Sequence, residues 1–520
     1  FYGFICKFGL LMWNLKPEIM NKVWYFIAAL LAATVGGNAQ GYEISIKAPG
    51  FAGQQAILGE YFTTRMIPKD TVLLDARGEG TFASDSAFKG GMYILYFDPD
   101  SYFDFLMADD QHFTIETDSS DFTTNTRFRG SEDNTVFFRY KRFLAERRKA
   151  MERLKKELER AETERDSLET REAIDELNSE MAGYAEKVMD NHPDLFVSTF
   201  MEAMKDVELP DTLLEDVPEA HRDSVRFYYY RDHYFDHFDF TDPRLLHTPV
   251  YDSKIKTYLS RAVIQHPDSL IRTVDFLMEG ARSDPEIFRY MLITLFNHFA
   301  DSKRMGMDKV YFYIAREYYI PEATWSSPDF IQKLKENLEA SKYTFVGDPA
   351  PNVVLKEIPP EHFQMAAMDT SIKKDPHVGS EFLLYEEQAP YTILYFWEVD
   401  CGHCSKSTPK LYEIFKKYEE RGLRVLAVHV INSVEGKEKW VDFINEHELY
   451  DWTNCWSPYS NEFRKLYNLN SFPQLFLLDE EKKIVGKQLT PEQAGDILER
   501  FLPEKEPEAG NRNTERAEQG

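Results

Sequence analysis

Cys401-Gly-His-Cys404 is the tetrapeptide of this chain best suited to chemistry. A cysteine thiolate attacks a disulfide, and a second cysteine three residues on can then resolve the mixed disulfide within the same molecule. Such a pair works only where the first thiolate is favoured. Tyr391 to Trp397 is a continuous apolar run suited to a buried strand, and it leads through Glu398-Val-Asp400 into Cys401. Beyond it, Leu411, Ile414, Phe415 and Tyr418 form one apolar stripe of a helix. The order strand, cysteine, helix predicts Cys401 at a helix N-terminus, where free N–H groups and the dipole stabilise a thiolate. His403 stands between the cysteines and, when protonated, adds positive charge that stabilises the reduced form. The redox-active pair is the only reactive group the sequence calls for, with no cofactor and no metal expected. Two other uses of the motif fit less well. Half a zinc site would need a second ligand pair at similar spacing, and with Cys6 lying ahead of the predicted signal peptide only Cys455 and scattered histidines are left. A peroxidase would need Thr three residues before the reactive cysteine, where Glu398 stands. Cys455 itself, in Trp452-Thr-Asn-Cys-Trp456, reads as a small packing residue more than as a third redox thiol.

The surrounding α/β alternation supplies what must hold that pair. Arg424 to Val430 reads as a strand, Glu435 to Glu448 as a helix, and Gln474 to Asp479 with Ile484 to Leu489 as a hairpin. Thr490-Pro-Glu-Gln493 then opens a last helix with a cap, a first-turn proline and a Gln three after the cap. Trp397 four before the first cysteine, Pro409 five after the second, and Phe472-Pro473 opening a late strand all resemble thioredoxins. The long stretch between Cys404 and Pro473, with Tyr467-Asn-Leu469, is similar to the exported TlpA/ResA-type branch. The resemblance covers about residues 346 to 503. It implies a thiol-disulfide oxidoreductase acting on protein thiols and disulfides, recharged by an upstream redox partner, with reduction or isomerisation favoured over oxidation. It also implies that Pro473 is cis and faces the disulfide, presenting backbone to an extended substrate, and that Trp397 packs the site. Two positions depart from the family. Tyr395 stands where compact thioredoxins carry a buried acid, and Ser407 where ResA-type proteins carry Glu, so Glu398 and Asp400 are left as substitute proton acceptors for Cys404.

The rest of the chain frames this domain. At 520 residues it exceeds one hydrophobic core, and the reading is a multidomain protein. It has an N-terminal antiparallel β-sandwich over 42–130, an all-α middle domain over 131–345, a C-terminal α/β thioredoxin fold over 346–503, and a disordered Pro/Glu-rich tail over 504–520. Tyr42, Ile44 and Ile46 alternate with polar residues, and turns such as Gly78-Glu-Gly80 punctuate the sandwich. The sandwich, closed by Gly130-Ser-Glu-Asp-Asn134, resembles the one often found ahead of thioredoxin domains in bacterial envelope proteins, and the helical region, with Asp242-Pro-Arg-Leu-Leu-His-Thr-Pro249, resembles an uncharacterised helical domain that precedes thioredoxin modules. Leu144, Met151, Leu154 and Leu158 give way to Ile174, Leu177, Met181 and Tyr184, which predicts a long helix or helical hairpin. His233 and His237 are four apart, but Tyr234 stands where a zinc protease needs Glu, and the segment reads as an aromatic packing helix. Met20-Asn-Lys22, the apolar run Val23 to Val35 and Gly36-Gly-Asn-Ala39 predict a signal peptide over 20–39, with 1–19 as upstream translation. The protein is thus expected in the periplasm or cell envelope, without membrane contact once the signal is removed. A formal charge of -27 repels phosphate backbones and excludes nucleic acid as a partner. The rival from another class is an envelope scaffold that uses the thioredoxin fold for docking alone.

Overall fold

The computed structural model describes residues 41–161, 163–369, 371–374, 379–431, 433–456 and 462–502. The predicted signal peptide, the segment before it and the C-terminal tail lie outside these residues. Two compact units divide at Glu202/Ala203, inside the stretch read from sequence as one helical domain.

The first unit is built on two four-stranded sheets. One has the order β4-β1-β7-β8, from Glu79–Ser84, Tyr42–Lys47, His112–Glu116 and Arg127–Arg129. The other has the order β3-β2-β5-β6, from Arg65–Leu73, Gln55–Phe62, Gly91–Asp98 and Ser101–Met107. The predicted alternation is realised, with Tyr42, Ile44 and Ile46 buried along β1. The sandwich is not antiparallel throughout, because β1 and β7 pair in parallel. Between them the chain crosses to the other sheet for β5 and β6, and such a crossover permits a parallel neighbour. Helix α1, Glu132–Arg160, is capped by Ser131 and pinned at its first turn to β6. The buried Asn134 side chain accepts from Leu106 N and donates to Leu106 O, both at 2.7 Å. Helix α2, Glu164–Asn191, returns antiparallel to α1. Phe143 stacks on Tyr184 at 3.9 Å and Arg147 grips Glu180 with its nearest contact at 2.6 Å, giving the predicted hairpin.

In the second unit, helices α3 (Pro267–Ala281) and α4 (Pro285–Ala300) each start on proline after a capping His266 or Asp284. Leu270, Val274, Leu277 and Met278 of α3 are buried, as are Met291, Leu292 and Leu295 of α4. Helix α5, Met307–Ile314, joins this bundle to the α/β part through an Asp308–Lys487 ion pair and the Phe312 ring against Phe345. Earlier in this unit the helix Glu219–Asp232 ends immediately before His233. His233 and His237 therefore do not share a helix face. The His233 ring stacks on Tyr229, and its Nδ1 bonds Asp236 at 2.6 Å.

The α/β part holds a seven-stranded sheet of order β10-β9-β13-β12-β11-β14-β15. These strands are Ser380–Leu383, Val354–Glu357, Thr453–Trp456, Leu423–His429, Tyr391–Trp397, Gln474–Leu478 and Ile484–Lys487. Strand β11 is central, parallel to β12 and antiparallel to β14. Its apolar run follows from burial on both faces: Ile393, Tyr395 and Trp397 enter one core, Leu394 and Phe396 the other. Helices α6 (Gly402–Tyr418), α7 (Val434–Glu446) and α8 (Pro491–Phe501) follow β11, β12 and β15. Thr490 and Gln493 form the reciprocal capping box that opens α8. Among the described residues, no helix is long and apolar enough to cross a membrane.

Candidate functional site

Cys401 is the N-cap of α6, placed there because β11 ends at Trp397 and the three residues Glu398-Val-Asp400 turn the chain into the helix. Its Sγ accepts the backbone N–H of Cys404 at 3.4 Å, one of the orphan donors at a helix start. On its other side the Cys401 thiol donates to the carbonyl of Phe472 at 3.4 Å. The Phe472–Pro473 peptide is cis. The elements thus bring Cys401 and Cys404 to the Phe472–Pro473 peptide, the Cys401–Phe472 contact spanning 71 residues of sequence. Cys401 is partly exposed, whereas the Cys404 side chain is fully buried, and both are free thiols. Trp397 is buried beneath the turn in the same core cluster as Cys404. His403 is exposed on the first turn of α6, and Pro409 lies inside that helix on its outer side.

A family described as "Thioredoxin-like" matches residues 390–484, and a "Domain of unknown function (DUF5106)" matches residues 198–343. The thiol-disulfide oxidoreductase ResA of Oceanobacillus iheyensis is 27% identical over 165 residues, which span 31% of this chain and 74% of that protein. ResA of Bacillus thuringiensis subsp. konkukian is 25% identical over 124 residues, 24% of this chain and 68% of the relative. A solved domain of a possible thiol-disulfide isomerase from Cytophaga hutchinsonii is 30% identical, with a TM-score of 0.25, covering 30% of this chain and 92% of that domain. The C-terminal domain is thioredoxin-like and similar to thiol-disulfide oxidoreductases, and the protein is an oxidoreductase of that type.

The electrostatics of this oxidoreductase differ between its two thiols. Burial, with the Cys401 sulfur beside it, pushes the Cys404 thiol well above the ordinary thiol range. No acid is buried at the position six before Cys401. Tyr395 is there instead, its hydroxyl 3.1 Å from Thr408 Oγ1, which in turn donates to the Cys404 carbonyl at 2.9 Å. Burial raises the Tyr395 phenol too, so this pair is neutral. Ser407, the other departure, is partly exposed on α6. Of the two nearby acids, Asp400 is exposed and pairs with Lys439 at 3.1 Å. Lys439 also pairs with Glu435, so the charge next to Cys401 is compensated from α7. Glu398 caps the turn through its carbonyl, which accepts from Cys401 N at 3.4 Å.

Cys455 lies in β13, fully buried, its thiol raised by burial, and it packs in the core on the other sheet face from Cys404. Two residues near the site carried no sequence signal. His429 pairs with Trp397 in the β11–β12 register, stacks on Trp440 at 5.1 Å, and is pushed down to about 3 by burial, which keeps it neutral. Arg464 donates to the Val430 carbonyl at 2.9 Å and lies over the Phe472 ring. Contact order hides both, since their partners are a neighbouring strand and a backbone carbonyl 34 residues away.

Proposed function

We propose that the oxidoreductase exchanges disulfides with protein clients in the cell envelope through Cys401 and Cys404, as a reductase or isomerase. The observation that carries this reading is the asymmetry of the pair: an accessible sulfur at a helix N-cap beside the Phe472–Pro473 backbone, and a buried thiol one turn deeper. The Cys401 thiolate attacks one sulfur of a client disulfide; the client S–S bond breaks and a Cys401–client disulfide forms while the other client sulfur leaves as thiolate and takes a proton. Cys404 then loses its proton and attacks Cys401, releasing the second client thiol and leaving the Cys401–Cys404 disulfide. The client gains two electrons and two protons, and an upstream dithiol reductant restores the enzyme. An isomerase releases the client by attack of a client thiol instead, with no net redox change. His403, exposed on the same turn, adds positive charge near the thiolate as an imidazolium. Pro473 offers backbone edge to an extended client, and Trp397 supports the turn from below. Insulin reduction by the mature chain beside Cys401→Ser tests the reading: turnover is expected only with Cys401 present. A Cys404→Ser variant is expected to accumulate Cys401-linked clients in envelope extracts. Equal insulin turnover in both proteins would leave only the scaffold reading.

A further inference from the structure

Accepting that disulfide-exchange reading, we infer that Arg464 is a positioning residue that holds the Phe472–Pro473 loop in register with Cys401. The short helix Glu462–Leu466 carries Arg464, anchored by buried Phe463 and closed by Leu469 N donating to the Arg464 carbonyl at 2.9 Å. From there the guanidinium reaches two segments that flank the cysteine. Its Nη2 donates to Val430 O at 2.9 Å, just past the end of β12. Val430 N in turn donates to Trp397 O at 3.0 Å, so the strand end that launches the cysteine turn is tied to the same point. The guanidinium carbon stands 5.1 Å from the centre of the Phe472 ring, a cation–π contact. Phe472 O is the carbonyl that accepts from the Cys401 thiol. One planar cation thus connects the end of β12, the end of β11 and the loop facing the nucleophile.

The chemistry of the site gives this clamp a purpose. A client's extended segment lies against the loop backbone while its disulfide meets Cys401, so the spacing between loop and sulfur decides how often the two sulfurs align. Misplacement of about 1 Å in such a site lowers rates by up to 10²-fold. Arginine suits the task because its rigid fork donates to a carbonyl while its flat face rests on a ring; a lysine ammonium offers neither the fixed fork nor the face. Gln removes the charge as well.

The test measures two rates on reduced full-length wild type, Arg464→Lys and Arg464→Gln. One is the single-turnover second-order rate constant for reduction of a disulfide-bearing peptide client; the other is alkylation of Cys401 by iodoacetamide, which needs no loop. The client rate is expected to fall about tenfold in Arg464→Lys, with alkylation within about twofold of wild type. Arg464→Gln should fall at least as far, and if it does not fold, Arg464→Lys decides alone. An unchanged client rate, or client and alkylation rates falling together, overturns the inference. A wild type with no more client turnover than Cys401→Ser overturns the underlying reading of the site, and the inference with it.

Discussion

The hydroxyl pair under Cys404 gives a prediction that can be worked from the contacts. Thr408→Val keeps the shape of the side chain but removes Oγ1, the partner of the Tyr395 hydroxyl at 3.1 Å. Tyr395 is only 1% exposed, so water does not replace the lost partner. A buried donor left unpaired costs about 1–3 kcal/mol, and a value near 2 kcal/mol is expected for this variant. The Cys404 carbonyl loses little, because it also receives the ordinary helical bond from the backbone four residues on. Tyr395→Phe is milder. Thr408 then keeps its bond to Cys404 O, and only one net hydrogen bond of about 1 kcal/mol goes. In the double variant no donor is orphaned, so it should be no less stable than Tyr395→Phe alone. The cycle therefore carries a coupling of about 2 kcal/mol, roughly thirtyfold in the folded-to-unfolded ratio. Urea unfolding followed by tryptophan fluorescence reads this domain, since Trp397, Trp440, Trp452 and Trp456 all lie in its main core cluster. Additive effects, with Thr408→Val costing the same with or without the Tyr395 hydroxyl, would refute the argument.

Two further outcomes are expected. The Cys404 thiol is raised by burial, so in the alkaline range the unfolded chain loses this proton before the native chain does. The unfolded state then binds fewer protons, and stability falls as pH rises. The reduced wild type should accordingly lose stability faster than Cys404→Ala above about pH 8.5, by at most about 1.4 kcal/mol per pH unit, measured by urea midpoints from pH 8 to 10; parallel slopes would contradict it. In the first unit, Asn134→Ala leaves both Leu106 backbone groups without the side chain that satisfies them. It should cost about 2–4 kcal/mol and free α1 from β6, seen as lost hydrogen-exchange protection at Leu106 and neighbouring amides, while insulin turnover at the C-terminal site is unaffected.

What the sequence made legible follows from where the determinants are local. Tyr391 to Trp397 is read directly as β11 because burial on both faces leaves an uninterrupted apolar run. The α8 start is read from three residues that cap each other. Strand β13, Thr453–Trp456, carries no local signal, because four residues with Asn454 and Cys455 both buried show neither alternation nor length. Strands β9 and β10 carry no local signal for a related reason: they are four-residue strands completed by pairing, β9 to both β10 and β13. The parallel pairing of β1 with β7 depends on a crossover between sheets, which no local pattern encodes. His233 and His237 failed as a helical pair because the helix stops at Asp232, where the His233 ring turns back onto Tyr229 and Asp236 takes its Nδ1.

The same distinction separates what is local in the redox site from what is not. Cys401, Cys404 and the helix between them form a contiguous unit, so spacing alone describes the attack geometry. The proton that Cys404 must release has no such local account. Tyr395 and Thr408 beneath it are neutral hydroxyls, Asp400 is engaged by Lys439 at the surface, and the Glu398 charge in the turn pushes the thiol further up. A buried thiol over a neutral pair keeps its proton until a mixed disulfide forms above it, when client groups and displaced solvent change its surroundings. Under the proposed mechanism this delays resolution relative to attack. A slow second step lengthens the life of the Cys401–client disulfide, which gives a client thiol time to attack it, the step that distinguishes isomerisation from reduction. Placing an acid at position 395 should shorten that lifetime, and the ratio of isomerised to reduced client would fall with it; a ratio indifferent to Tyr395→Asp in a variant that still folds would show that proton loss from Cys404 does not set the partition.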